Sequence, residues 1–333
     1  MARWILPLVS AMFVVGVTGR GADSPLAIPK DTLPAKISLD RIPLGLDARP
    51  VPQTNLLAEA RVNLGRKLFF DPILSTTHTI ACASCHQPDH GFASIGRPRG
   101  LHGKQLSRRA PTLFNRALGT SFFWDGRESS LEDQALRPIA DPDEMGSSVA
   151  DVLNRLKSDR VYKAEFEDAF SDGVTATNLS KAIASFERVL LRGDSAVDRF
   201  RRMGELSALS AQQRHGLWLY ESKGRCWRCH SGANFTDEEY HNTGVSWGKV
   251  PADVGRFVVT KVPADRGKFK TPTLRGAALT GPYMHDGSLK SLDDVIEFYN
   301  RGAGANPNLD LQLVPLNLSK DEVHDLVAFL KAL

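Results

Sequence analysis

Two short segments of the sequence, residues 82–86 and 226–230, carry the residue types with the most specific chemistry. Each reads C-x-x-C-H, in which two thiols can add to the vinyl groups of one porphyrin while the adjacent imidazole ligates the iron. Because the two segments contain all four cysteines of the chain, a pair of disulfides or a zinc site is disfavoured. The sequence therefore predicts two covalently bound haem c groups. Their attachment residues and proximal iron ligands are Cys82, Cys85, His86, Cys226, Cys229 and His230.

The composition is that of an ordinary globular protein. The chain has 333 residues, 42% hydrophobic and 24% charged, which is enough for two domains. Its formal net charge of +4 is small, and the propionates of two haems would offset much of it. A basic cluster at residues 97–109 lacks the interleaved aromatic residues that stack on bases. The composition argues against a nucleic-acid partner and favours arginines that face haem propionates.

The N-terminal residues 1–22 have the pattern of a secretory signal peptide. Arg3 precedes an apolar run over residues 5–17, and small residues follow it. This run is short for a bilayer span, so a retained anchor is the less favoured alternative. Export agrees with haem attachment, which takes place outside the bacterial inner membrane, and we expect a periplasmic protein. Residues 23–53 are rich in proline and predict an extended arm.

The rest of the chain predicts a mainly α, loop-rich fold. Each half reads helix, haem motif, long glycine-rich loop, helix, which indicates two cytochrome c-like haem domains at residues 54–195 and 196–333. A break at 193–204 marks the predicted boundary, and a short strand pair is expected only around 257–262. Helices are predicted at 55–70, 130–137, 148–156, 161–170, 179–191 and 292–300, and after the capping boxes that start at Ser210 and Ser319.

The residue opposite each proximal histidine decides what a haem can do. A haem with both axial positions filled by protein transfers electrons, whereas an open position can bind peroxide or dioxygen. A lone histidine is more often a surface or core residue than a ligand, and spacing alone does not choose among the candidates. They are His90 and His102 for the first haem, and His241, Met284, His285 and Tyr299 for the second.

Several further segments stand in an order typical of one family. They are LGRKLFFD at 64–71, APTLFN at 110–115, FWDGR at 123–127, EMG at 144–146, TPTLRG at 271–276, PYMHDG at 282–287 and EFYNRG at 297–302. Together with the two haem motifs they closely resemble the bacterial di-haem cytochrome c peroxidase family, including its MauG-like branch. The resemblance covers about residues 50–333.

The resemblance implies roles for three residues around the first, peroxidatic haem. Glu144 matches the distal carboxylate of the family, which can take a proton from peroxide and return it to the leaving oxygen. Gln134 matches a distal amide, and Trp124 matches a tryptophan between the haems that can carry an electron. Without the resemblance, Glu144 would read as a surface acid in a polar loop.

The sequence departs from the peroxidase pattern in three places. Tyr299 stands where many members have a methionine ligand of the second haem and MauG-like members have tyrosine; Met284 is the less favoured alternative. His102 lies one residue out of register with a distal histidine of the first haem and is a further candidate. The resemblance also implies calcium held by the carbonyls of Thr280 and Pro282, but Arg109 replaces the expected asparagine and makes calcium doubtful.

The leading functional hypothesis is reduction of hydrogen peroxide to water, with electrons from a small periplasmic cytochrome c or cupredoxin. One alternative is a MauG-like oxidase that removes electrons from a protein or other substrate, which Tyr299 favours. The second alternative is a non-catalytic di-haem electron carrier. The presence of Glu144, Gln134 and Trp124 argues against it. A homodimer is common in the family and is a further expectation.

Overall fold

The computed structural model describes residues 38–333, which form a mainly helical, loop-rich structure. The fold class predicted from the sequence is confirmed. The signal-peptide prediction, and the arm as far as residue 37, lie outside the described residues. The helices are α1 (Glu59–Phe70), α2 (Cys82–Cys85), α3 (Leu131–Ala140), α4 (Val149–Ser158), α5 (Arg160–Ala169), α6 (Ala176–Arg188), α7 (Ala196–Met203), α8 (Ala211–Glu221), α9 (Phe257–Thr260), α10 (Leu292–Asn300) and α11 (Lys320–Leu330).

The same helix pair is built twice along the chain. In the first half α1 packs against α6, and in the second α8 packs against α11. A glycine lies at each crossing: a Cβ on Gly65 would stand 1.9 Å from the Ala182 carbonyl oxygen, and one on Gly216 would stand 2.0 Å from that of Asp325. Only glycine permits so close a backbone approach. The two halves therefore share one local design.

Each helix pair belongs to a separate hydrophobic cluster. The larger cluster of the first half includes Leu68, Phe166 and Ile183, and that of the second half includes Tyr220 and Phe329, all almost fully buried. Burial of each such side chain contributes about 1.5–3 kcal/mol. The domain limits predicted at residues 195 and 196 remain a prediction.

Helix α7 lies in the stretch predicted as a break at residues 193–204. Its first turn is closed by a capping box, in which Ser195 and Asp198 bond each other's backbone N–H groups. The Asp198 carboxylate also accepts two hydrogen bonds from Arg275, at 2.7 and 2.8 Å, in a fully buried ion pair. Polarity made the stretch resemble a linker, but Val197 and Asp198 are buried and anchor the helix in the fold.

Within residues 38–333 there is one short sheet, and it is not where a strand pair was expected. Strand β1 (Tyr240–His241) runs antiparallel to β2 (Phe269–Lys270). The β-branched residues around 257–262 instead form the single turn α9, closed by the Lys261 N–H that donates to the Phe257 carbonyl. Val258 and Val259 are exposed and belong to neither strand of this sheet. The strand prediction for this stretch was wrong.

The helices predicted at 130–137, 148–156, 161–170, 179–191 and 292–300 begin and end within three residues of those limits, whereas α1 begins four residues later than predicted. Residues 55–58 precede α1 because Asn55 is fully buried and its amide donates to Glu132 and to the Lys181 carbonyl. Asn55 ends a short 3-10 turn at Gln53–Asn55, and the backbone is extended at Leu56 and at Ala58 before α1 begins. Among residues 38–333, no helix combines the length and apolar character needed to cross a bilayer.

Candidate functional site

The first C-x-x-C-H segment presents its imidazole in one defined orientation. Cys82 to Cys85 form the single turn α2, and the His86 Nδ1–H donates to the Phe92 carbonyl at 2.9 Å. Histidines that bind metals usually donate their other ring N–H to such a carbonyl, which leaves Nε2 as the ligand atom. Burial lowers the pKa of His86, and the neutral ring is the form that ligates iron.

The second segment repeats this geometry. The His230 Nδ1–H donates to the Phe235 carbonyl at 3.0 Å, and burial lowers the pKa of His230 as well. The accepting residue has a positive φ in both halves, 54° for Phe92 and 51° for Phe235. Two independent segments thus place a neutral imidazole in the same way.

The cysteines and the space beside them fit a haem. All four thiols are free, and burial raises the pKa of Cys82, Cys85 and Cys226 to about 12. Cys82, Cys85 and His86 line a cavity of about 950 Å³. A smaller cavity of about 330 Å³ lies beside His230. The donor set is therefore the one that covalent attachment of haem requires at each segment.

Gln134 and Glu144 line the same large cavity as His86. Gln134 lies on α3, and Glu144 lies in the turn that follows it. Burial, with the nearby Asp141 carboxylate, raises the pKa of Glu144 to about 7, whereas the Arg127 guanidinium lowers it. A carboxyl group with this pKa can both accept and return a proton near neutral pH.

The Trp124 ring lies on the wall that the two halves share. It lines the large cavity, and its indole N–H donates to the Arg109 carbonyl at 2.8 Å. Its own carbonyl accepts from the Lys270 N–H of β2 at 2.8 Å. On its other side the ring meets His285 edge-on, with centroids 6.3 Å apart. Trp124 is thus fixed by contacts to both halves.

The internal repeat relates Tyr299 to a residue of the first half that sequence reasoning missed. Helices α3 and α10 begin after Ser130 and Ser291, whose hydroxyls accept from the third backbone N–H of the helix. Eight residues after these serines stand Pro138 and Tyr299, and Pro138 lines the large cavity. Proline has no side-chain ligand atom. The alignment of the two capping serines could have revealed this asymmetry from the sequence.

Tyr299 is placed close to the second haem segment. Burial, followed by the thiols of Cys229 and Cys226, raises the pKa of the Tyr299 phenol well above its usual value. Within residues 38–333 its hydroxyl makes no hydrogen bond, and its ring meets Phe298 edge-on. The phenol therefore lies near both thiols to which the second haem would be attached. Iron ligation by Tyr299 stays a prediction.

Met284 corresponds in the repeat to Phe123 and not to Tyr299. Both residues follow a bridge-forming aromatic residue and have positive φ, 68° for Met284 and 65° for Phe123. Neither Met284 nor Tyr299 is among the residues that line the two cavities, so the cavity lining does not choose between them. The position in the repeat, and the nearness of the Tyr299 phenol to the Cys229 and Cys226 thiols, favour Tyr299 as the ligand.

The structure places His102 on an exposed turn at Leu101–Gly103, outside the lining of the large cavity. The other candidate histidines are engaged elsewhere. His90 contacts the Gly281 carbonyl, His285 bonds Ser246, and His241 lies between two aspartates. None of these positions favours iron ligation, although the role of His102 is tested only by experiment.

The residues at the expected calcium position do not fit a calcium ion. The Arg109 guanidinium donates to the carbonyls of Pro282 and Thr280, the two oxygens that the resemblance assigned to calcium. It also donates to the Ser94 carbonyl at 3.2 Å. A cation at this position would meet a fixed positive charge and carbonyls that are already bonded.

A buried charge cluster also escaped the sequence reasoning. Glu238 pairs with Arg116 at 3.1 Å and with Lys270 at 2.7 Å, and all three side chains are largely buried. Arg116 and Lys270 line the large cavity, so two cations face it with one carboxylate between them. The excess positive charge suits an anionic group such as a propionate.

The fold and the duplicated histidine segments define a two-haem protein of the cytochrome c type, and comparisons with known proteins agree. A family model described as di-haem cytochrome c peroxidase matches residues 59–205. The chain is 41% identical over 289 residues to the methylamine utilization protein MauG of Methylorubrum extorquens, a match that covers 85% of this chain and 81% of that protein. The chain belongs to the di-haem cytochrome c peroxidase family, and the predicted resemblance is confirmed.

Two further relatives show both branches of this family. The chain is 36% identical over 302 residues to the cytochrome c551 peroxidase of Pseudomonas aeruginosa, which covers 86% of this chain and 83% of that protein. It also matches the crystal structure of a MauG-like protein associated with microbial copper homeostasis. That match has a TM-score of 0.81 at 30% identity and covers 89% of this chain and 95% of the other.

Proposed function

We propose that this protein is a di-haem enzyme that reacts with hydrogen peroxide at the first haem site and takes the two electrons from an outside molecule through the second. The overall change is H2O2 + 2 H⁺ + 2 e⁻ → 2 H2O. The observation that carries this proposal is Glu144, a carboxyl group with a pKa of about 7 in the cavity that also contains His86 and two thiols. A non-catalytic carrier has no use for such a group.

Haem, bound covalently through the two cysteines of each segment, would supply the iron at which peroxide is reduced. The role of the protein is proton transfer and orientation. Glu144 would accept a proton from one peroxide oxygen and return it to the other, which leaves as water. The Gln134 amide can hold the same oxygens by hydrogen bonds. Pro138 provides no competing ligand in this cavity.

Trp124 supports electron exchange between the halves. Its ring lines the first cavity, its indole N–H donates to the Arg109 carbonyl, and its backbone carbonyl accepts from the Lys270 N–H of β2 in the second half. A fixed aromatic ring at this position can carry an electron without a large change in geometry. We propose that Trp124 connects the second haem site with the first.

Tyr299 favours a MauG-like oxidase as the second candidate function. An anionic phenolate stabilises ferric iron and lowers its reduction potential, so prior reduction by a high-potential donor becomes harder. Under this candidate the two electrons come from a protein or another substrate that is oxidised directly. Under the peroxidase candidate they come from a small cytochrome c or cupredoxin. The 41% identity to a MauG protein also supports the oxidase.

We further propose that the protein is exported to the periplasm, where covalent attachment of haem takes place, and that it can form a homodimer. Export rests on the signal-like residues 1–22. Hydrogen peroxide and the electron-supplying molecule are the proposed partners.

The pH dependence of the peroxide reaction tests the role of Glu144. We expect the second-order rate constant to rise as pH increases through about 7 and then to level off, because only the deprotonated carboxylate accepts the peroxide proton. Stopped-flow measurements from pH 5 to pH 9 give the midpoint. Arg127→Gln should move the midpoint to higher pH, since the Arg127 guanidinium lowers this pKa. A flat profile in both proteins would contradict the assignment.

A further inference from the structure

Arg109 is a buried cation whose charged group is surrounded by carbonyl oxygens. The side chain is only 5% exposed, and its guanidinium donates to the carbonyls of Ser94, Thr280 and Pro282. Within residues 38–333 no carboxylate forms an ion pair with it, although most other buried arginines have one. A shell made only of carbonyl oxygens is the kind of surrounding that a bound metal cation has.

The carbonyls around Arg109 come from both halves of the molecule. Ser94 follows the first haem segment, whereas Thr280 and Pro282 belong to the loop that leads to His285. The Arg109 backbone adds two more contacts: its N–H donates to the His285 carbonyl at 2.8 Å, and its carbonyl accepts from the Trp124 indole at 2.8 Å. One residue thus joins the first-haem loop, the second-half loop and the aromatic ring between them.

We propose that the Arg109 guanidinium is a built-in cation that takes the place of a metal ion between the two halves and positions Trp124. The role of Arg109 in positioning Trp124 rests on the proposed function, whereas its replacement of a metal ion does not. Arg109 is a positioning residue, because it acts on electron exchange only through Trp124 and touches no reacting atom.

The charge of Arg109 persists under working conditions. Burial lowers the pKa of the guanidinium to about 10, so it remains protonated at neutral pH. A divalent cation bound to the same carbonyls would lie within a few ångströms of this charge at low local dielectric, which is unfavourable. The protein should therefore be complete without a metal at this position.

Metal content and chelator response of the haem-loaded protein test the cation. After dialysis from 1 mM CaCl2, elemental analysis should find no stoichiometric calcium. Excess EGTA should change neither the visible spectra nor the melting temperature. One calcium per chain, or a spectral change with EGTA, would overturn the proposal whether or not the protein reacts with peroxide.

Substitution of Arg109 tests its positioning role. Arg109→Asn should lower the melting temperature by about 5 °C, because buried carbonyls lose a charged donor. Added CaCl2 should restore part of this loss, since an amide oxygen and the freed carbonyls can now hold the ion. Arg109→Lys keeps a cation and should stay indifferent to calcium. A variant Arg109→Asn with the melting temperature and turnover of the parent would refute the proposal.

A double-mutant comparison separates positioning from general stability. Arg109→Asn should slow electron-donor-dependent peroxide turnover in the parent but add little in a Trp124→Phe background, since both changes act through the same ring. The ferric spectra of both haems should stay unchanged in all three variants. If Arg109→Asn lowered turnover by the same factor in both backgrounds, a role through Trp124 would be excluded. The metal content would then test only whether Arg109 replaces a metal ion.

Discussion

Glu144→Gln is expected to slow the reaction of the ferric protein with hydrogen peroxide by about 10²-fold or more, the usual scale for loss of an acid–base group. Glutamine fills the same volume but cannot accept a proton from peroxide. The cavity, His86 and both thiols are untouched, so the haem spectra and the melting temperature should match those of the parent. Stopped-flow mixing with a range of peroxide concentrations gives the second-order rate constant.

Asp143→Asn is the matched control for this substitution. Asp143 lies one residue away and also lines the cavity, but its carboxylate is half-exposed and pairs with Lys104 at 2.7 Å. Its loss should leave the rate above pH 8 close to that of the parent. It should also move the midpoint of the pH profile slightly down, because Asp143 raises the pKa of Glu144. Parent-like reactivity of Glu144→Gln would remove Glu144 from the mechanism.

Tyr299→Phe is expected to convert the second haem from low spin to high spin. The phenylalanine ring keeps the packing against Phe298 but has no oxygen to bind iron. Loss of an anionic ligand should also raise the reduction potential of this haem, because the phenolate stabilises the ferric state. Electron paramagnetic resonance of the ferric protein and a redox titration measure the two effects.

Met284→Leu is the control for the second haem. Met284 lies at the turn position that corresponds to Phe123, so leucine should leave the ligation unchanged. The parent should show no near-infrared band of a thioether–iron bond. If Met284→Leu, and not Tyr299→Phe, altered the spin state, the second haem would have His/Met ligation and the peroxidase candidate would be favoured.

Local signals in the sequence predicted most of the fold. Each of these signals is recognised from residues that are close in sequence. They are the C-x-x-C-H segments, the helical spacing of apolar residues and the capping serines at 210 and 319. The structure places α8, α10 and α11 where these signals put them. Helix α7 was missed because polar residues around it resembled a linker, although Ser195 and Asp198 already form a capping pattern.

Features that depend on distant partners could not be read from one sequence. The buried Asn55 amide donates to Glu132 and to the Lys181 carbonyl, which are 77 and 126 positions away. No pattern in the residues next to Asn55 predicts these hydrogen bonds. The sequence did place Arg109 at the calcium position, but it could not show that the guanidinium takes up those carbonyls. The charge cluster of Arg116, Glu238 and Lys270 likewise exists only after the halves meet.

Electron paramagnetic resonance of the ferric, haem-loaded protein, before and after one equivalent of hydrogen peroxide, tests the central claim most directly. The account predicts one high-spin and one low-spin signal of equal weight, since Pro138 leaves the first haem open and Tyr299 closes the second. The high-spin signal should disappear within the mixing time at pH 8, and it should persist far longer in Glu144→Gln. Two low-spin signals that peroxide does not change would contradict the account and identify a simple electron carrier.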